Sequence, residues 1–192
     1  MPNRPIAETE TSLIEQAQNG DRSAFEELVR IHYGCITNII YRMCGDVGMA
    51  EDATQEAFLR AWVNLPSFHP SSPLRNWLCR IAVNAAVDML RRRTEEPVEM
   101  EKMESLPVET PDPETLLIQK EQVAFLQQML RTLPEGARKV LVLREYGQLS
   151  YQEIAVVLDI PLGTVMSRLN YGRNRLRELL KSHSILAERK YA

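Results

Sequence analysis

Apolar residues recur at steps of three and four along almost the whole chain, and the pattern fails only between Thr94 and Pro111. An α-helix turns once in about 3.6 residues, so this spacing predicts an all-α chain in two parts. Within the break, Pro97, Pro107 and Pro111 stand among Glu95, Glu96, Glu99, Glu101, Glu104 and Glu109. Such a segment has little apolar surface to offset the entropy of ordering it. Fully extended at ~3.3 Å per residue, it reaches up to roughly 60 Å, so the parts it joins can act far apart on one target. The expected organisation is a helical domain over residues 1–93, a flexible acidic linker over 94–112, and a second helical domain over 113–192.

Cap and stop residues divide the periodic stretches into helices. A short helix precedes Gly20. Asp21 as N-cap and Gly45 as stop bracket a helix with Phe25, Leu28, Val29, Ile36, Ile39, Ile40 and Met43 inside. The next carries Ala53, Ala57, Phe58, Ala61 and Trp62 on one face and ends at Leu65-Pro66. Ser72 and Pro73 then open a helix with Leu74, Trp77, Leu78, Ile81, Ala82, Ala85 and Met89 inside. After the break, helices start at Asp112-Pro113 and at Pro134. The run Ser150-Tyr-Gln-Glu153 is a capping box opening a short helix that breaks at Asp159-Ile-Pro161. Gly163-Thr164 begin a long basic helix with Val165, Leu169, Leu176, Leu179 and Leu180 as its inner stripe; the tail after Lys181 extends or frays it. Short helix, tight turn and long basic helix form the helix-turn-helix layout.

Charge separates the parts further. The whole chain carries a net −3, which taken alone argues against a phosphate-rich partner, but residues 1–93, 94–132 and 133–192 carry −1, −6 and +4. Leu74 to Arg93 has five Arg against Asp88, and Gly163 to Lys190 has seven bases against Glu178 and Glu188. Two basic helices are thus candidates for nucleic acid. On the last helix Thr164, Ser167, Arg168, Asn170, Tyr171 and Arg173 lie off the apolar stripe, where side chains reach base edges in a major groove. On the earlier one Arg80, Val83, Asn84, Val87, Asp88 and Arg91 share a second face that mixes amide, guanidinium and aliphatic groups. Stacked duplex offers little to valine, whereas an unstacked strand offers base faces and a backbone that Arg can follow. Phe68 and His69, in the loop before that helix, either pocket a base drawn from the stack or, for Phe68, seal the core.

The runs Glu51-Asp-Ala-Thr-Gln-Glu-Ala-Phe-Leu-Arg-Ala-Trp62, Trp77-Leu-Cys-Arg-Ile-Ala-Val-Asn84, Leu149-Ser-Tyr-Gln-Glu-Ile-Ala155 and Pro161-Leu-Gly-Thr-Val165 resemble, in order and spacing, the extracytoplasmic-function (ECF) sigma factors of bacterial RNA polymerase. The resemblance spans roughly Asp21 to Leu180. It implies two helical domains corresponding to sigma regions two and four. It further implies that Asp52, Gln55, Glu56 and Arg60 dock on the beta-prime clamp helices of core RNA polymerase, and that region four meets the beta flap. Phe68, Arg80, Asn84 and Arg91 are implied at the melted minus-ten element. Arg144, Tyr151, Thr164, Met166, Ser167, Arg168, Asn170, Tyr171 and Arg173 are implied at the minus-thirty-five duplex. The acidic linker matches the segment that threads towards the RNA exit path, and an anti-sigma factor is an implied partner. Met166 and Tyr171 depart from the family, which often has Arg or Lys at the first and Arg at the second, and His69 replaces a residue often basic or polar.

Catalytic patterns are missing from this reading: it finds no Gly-rich phosphate loop, nucleophile elbow or paired-carboxylate signature, so no enzyme and no cofactor are expected. His32, Cys35, Cys44 and Cys79 fit no strong zinc spacing and sit in apolar helical runs, which favours core packing and no metal. No apolar run approaches a membrane span, and the expectation is a cytoplasmic protein. The other function considered is a stand-alone helix-turn-helix repressor, which binds duplex DNA without polymerase.

Overall fold

The structure is a computed structural model; it describes the backbone of residues 4–69, 72–95 and 113–190, and the side chains of 10–69, 72–93 and 123–182. Every regular element among these is helical: α1 (Arg4–Gln18), α2 (Arg22–Cys44), α3 (Val47–Asn64) with a single 3-10 turn at Leu65–Ser67, α4 (Leu74–Glu95), α5 (Pro113–Thr132), α6 (Glu135–Glu145), α7 (Tyr151–Leu158) and α8 (Leu162–Lys190). The connector expected from Thr94 therefore begins no earlier than 96, because α4 continues through Glu95; the remainder of the expected linker lies outside the described residues. At the other end α8 continues to Lys190, so the tail extends the helix.

The caps act where the sequence places them. Asp21 accepts from the amides of Ser23 at 2.9 Å and Ala24 at 3.2 Å, and the Ser23 hydroxyl, donating to the same carboxylate at 2.6 Å, does most to hold that carboxyl below the usual range. Gly45 ends α2 at φ 74°, its amide donating to the Tyr41 carbonyl at 2.7 Å. Any side chain there would meet Arg131 and Gln127 at 3.0 Å as well as the unfavourable backbone. Ser150 Oγ accepts from the Glu153 amide at 3.2 Å while Glu153 accepts from the Ser150 amide at 2.7 Å, completing the capping box. Asp159, at φ 52°, turns the chain out of α7.

Helices α1 to α4 enclose one core. Ala50, Ala53, Ala57 and Ala61 line the inner face of α3, and their small size lets α2 and α4 approach closely. Helix α4 packs against both α2 and α3, so it must bury a broad arc, with Leu74, Leu78, Cys79, Ala82, Val83, Ala85 and Ala86 all inside. This corrects the placement of Val83 beside Arg80: it is 1% exposed. A second core holds Val140, Leu141 and Leu143 of α6, Ile154 and Val157 of α7, and Val165 and Leu169 of α8. Each such side chain contributes about 1.5–3 kcal/mol on burial. Leu180, expected on the inner stripe of α8, is exposed, because the helix has run past the helices it packs on.

The two parts of the core meet across the last turn of α2, where, among the described residues, only the Tyr41 carbonyl has a local partner, the Gly45 amide. Gln127 donates to the carbonyls of Tyr41 and Arg42, both at 3.1 Å, and Arg138 donates to that of Met43 at 3.0 Å. The Arg42 guanidinium lies 4.7 Å from the Tyr146 ring centre, within cation-π range. At the far end Asn76 of α4 donates to Glu153 of α7 at 2.8 Å. The parts expected to act at a distance thus rest against each other in this structure.

Candidate nucleic-acid interface

Burying most of α4 leaves a narrow outward strip. Arg80, Asn84 and Arg91 are exposed along it, while Val87 and Asp88 are half-buried. The strip keeps the amide and guanidinium groups of the expected face and loses one of its two valines. The loop before it differs more from expectation. Phe68 is 6% exposed, its ring centre 5.1 Å from that of Trp77, and Gln18 donates to its carbonyl at 2.7 Å. In this conformation Phe68 seals the bundle, its ring packed on Trp77, and does not line an open base pocket. His69 is exposed and its Nδ1 lies 2.8 Å from the Ser67 carbonyl.

Beyond the N-terminal end of the strip lies a groove of about 320 Å³ between α4 and α7, lined by Asn76, Trp77, Arg80, Glu153, Val156 and Val157 among others. Asn76 and the Ser150 amide hold the Glu153 carboxyl below its usual range. Sequence reasoning placed Trp77 wholly inside. It is half-buried instead, one side packed on Phe68 and another lining this groove, which forms only where α7 lies beside α4 and which no periodicity reveals.

The outward face of α8 is broader. Met166, Ser167, Asn170 and Tyr171 are exposed, followed by Asn174, Arg175 and Arg177. The last three were missed, though their steps of three and four from Asn170 and Tyr171 carry the signal. The cations singled out nearest the start of α8 are engaged with the fold. Arg173 donates to Glu145 at 2.8 Å and to the Tyr151 hydroxyl at 3.4 Å. Arg168 lies over Gly136 of α6, where a Cβ would come within 3.0 Å of its guanidinium. Arg144 stacks 5.3 Å from the Tyr151 ring centre and donates to the Leu149 carbonyl at 2.8 Å. Thr164 and Tyr151 are half-buried. Helix geometry therefore brings the uncharged residues to the front and sets Arg144, Arg168 and Arg173 at the flank.

On α3, Asp52 and Gln55 are exposed and Glu56 and Arg60 half-buried. Arg60 donates to Glu56 at 2.8 Å and, across to α4, to Asp88 at 2.7 Å, so its charge ties the two helices. Leu59 and Val63, 62% and 72% exposed, continue the same face and were missed; their phase against Ala53 and Ala57 places them outside.

The remaining polar clusters are structural. Burial pushes the thiols of Cys44 and Cys79 up to about 12, leaving them unreactive near neutral pH. Buried His32 lies 2.7 Å from Glu10. Among the described residues no group of three His, Cys, Asp or Glu could hold a metal ion, and no helix is long and apolar enough to cross a membrane.

Comparison with known proteins agrees with both halves. Residues 28–96 match Sigma-70 region 2 and residues 126–176 match Sigma-70, region 4. The chain is 37% identical over 177 residues to the ECF RNA polymerase sigma factor SigW of Bacillus subtilis (strain 168), covering 88% of this chain and 95% of that one. It is 35% identical over 188 residues to the ECF RNA polymerase sigma-E factor of Escherichia coli (strain K12), covering 90% and 97%. Among solved structures it is similar to CnrH in complex with the cytosolic domain of CnrY, with a TM-score of 0.71, 26% identity and coverage of 91% and 98%. It is also similar to the sigma factor RpoE bound to the anti-sigma factor NepR from Bartonella quintana, with a TM-score of 0.69, 25% identity and coverage of 82% and 96%. With both sigma regions matched in order and relatives above 30% identity along most of its length, the chain belongs to the ECF sigma factors of bacterial RNA polymerase.

Proposed function

We propose that the chain docks on core RNA polymerase through α3, places the outward strip of α4 against the melted minus-ten strand, and lays α8 in the minus-thirty-five duplex. The observation that carries this reading is the presence of three separate outward faces on one chain: Asp52, Gln55, Leu59 and Val63 on α3; Arg80, Asn84 and Arg91 on α4; Met166, Ser167, Asn170 and Tyr171 on α8. The division into 1–93, 94–112 and 113–192 serves it, because the two DNA-facing helices must separate to span two promoter elements. Separation breaks the Asn76–Glu153 hydrogen bond and the contacts at the α2 terminus. The chain itself carries no catalytic step in this reading. Its solved relatives are in complex with the cytosolic domain of CnrY and with the anti-sigma factor NepR, and we infer that this chain too is controlled by an anti-sigma factor as a further partner.

The test is association with core RNA polymerase followed by runoff transcription. Co-elution with core and specific transcripts from added promoter DNA are expected. A chain that ignores core yet binds duplex tightly alone is instead a repressor.

A further inference from the structure

The recognition face of α8 is neutral where a guanine reader would need a cation. Its first exposed side chains are Met166, Ser167, Asn170 and Tyr171, with Met166 48% and Tyr171 51% exposed, while Arg168 and Arg173 are turned onto Gly136 and onto Glu145 with Tyr151. Guanine is read mainly by the fork of Arg or by Lys; adenine is read by the amide of Asn or Gln, and thymine by apolar contact with its methyl group. Resting on the proposed role of α8 at the minus-thirty-five duplex, we propose that Met166 and Tyr171 read thymine methyl groups and Asn170 reads adenine, so that this chain selects an A·T-rich step in its upstream element.

The spacing suits a single step. Residues 166, 167, 170 and 171 lie at i, i+1, i+4 and i+5, adjacent on one helical face, so they reach neighbouring base pairs. Asn170 accepts only a 3.3 Å hydrogen bond from Asn174 on the exposed surface, which a base can replace. Two large apolar side chains held half in water gain from burial against a methyl group and gain nothing from a cytosine edge.

The experiment begins with selection of bound duplexes from a random-sequence library, using holoenzyme and, in parallel at low salt, the free chain. An A·T-rich step in the upstream element is expected from both. Each thymine of that step is then replaced by uracil, which removes only the methyl group. A loss of about three- to fivefold in affinity is expected for wild type, since one buried methyl accounts for that much. The loss should vanish in Met166→Ala or Tyr171→Ala, and Met166→Arg should move the selected base towards guanine. Replacing adenine by 7-deazaadenine should weaken wild type and leave Asn170→Ala unchanged. Uracil substitution without effect at every thymine, or a selected step of G·C pairs, overturns the assignment, as does loss of binding to another protein but not to DNA in these variants. Failure of the chain to join core polymerase defeats the proposed function alone, because the free-chain arm still reads the helix.

Discussion

Helices α4 and α8 are both basic and both face outward, yet they are built in opposite ways. Helix α4 is gripped between α2 and α3 and shows a single strip of Arg80, Asn84 and Arg91. Helix α8 rests on α6 and α7 through Val165, Leu169 and Gly172 and leaves most of its circumference free. A strip on a gripped helix is fixed in position, which suits holding an unstacked strand in one register. A broad face on a helix supported from one side can lie in a groove. The charges follow the same division: on α4 Arg80 and Arg91 stay outward, whereas on α8 Arg173 pairs with Glu145, Arg168 lies over Gly136, and the front is uncharged.

The contrast is broken most severely by adjacent substitutions. Val83→Asp puts a carboxylate into the α2–α3–α4 core and should cost more than ~4 kcal/mol, abolishing cooperative unfolding, whereas Asn84→Asp should stay within ~0.5 kcal/mol. Equal denaturation midpoints would show that α4 is not gripped. On α8, Leu169→Ala should lower stability by ~2–5 kcal/mol in urea titration, and neighbouring Asn170→Ala by no more than ~0.5 kcal/mol. For function, Asn84→Ala should reduce open-complex formation about fivefold, the worth of one hydrogen bond near 1 kcal/mol, while leaving core affinity unchanged. Permanganate footprinting reads the first and co-elution the second; undiminished opening would remove Asn84 from the strand.

Smaller effects separate the cations of α8. Arg177→Ala should lower the log–log salt slope of DNA binding by ~0.9 if it meets a phosphate, and Arg173→Ala by less, since Glu145 already holds it. Equal slopes would place Arg173 on the phosphates as well. The faintest effect concerns pH. The Glu153 carboxyl is depressed by Asn76 and by the Ser150 amide, so its contribution to stability is full above the ordinary glutamate range and is lost as pH falls through its lowered value. Glu153→Gln should flatten that part of the acid limb of the stability profile, and a profile parallel to wild type would deny the linkage.

Much of the candidate site could be read before any coordinates. Asp21, Gly45 and the Ser150–Glu153 box act locally, through hydrogen bonds between residues at most four apart, so their residue types suffice. Exposure of Asn84, Arg80, Met166 and Tyr171 follows from phase against the apolar stripe. Val83, Trp77 and Phe68 were harder, because their surroundings come from helices distant in sequence. Spacing puts Val83 outward, but two neighbours close on α4 and bury it; for Phe68 spacing leaves both a base pocket and a core seal open, and the ring meets Trp77. Leu59 and Val63 carry a visible signal as well, an apolar pair out of phase with the inner stripe of α3.

The sequence by itself determined the helices, their caps and the helix-turn-helix, because each rests on backbone hydrogen bonding and side-chain spacing within a few residues. Only the tertiary structure decided which cations are paired with other parts of the chain. Arg60 on Asp88, Arg138 on the Met43 carbonyl and Arg173 on Glu145 are partnerships across 28 residues or more, and the charge left for DNA is what remains after they form.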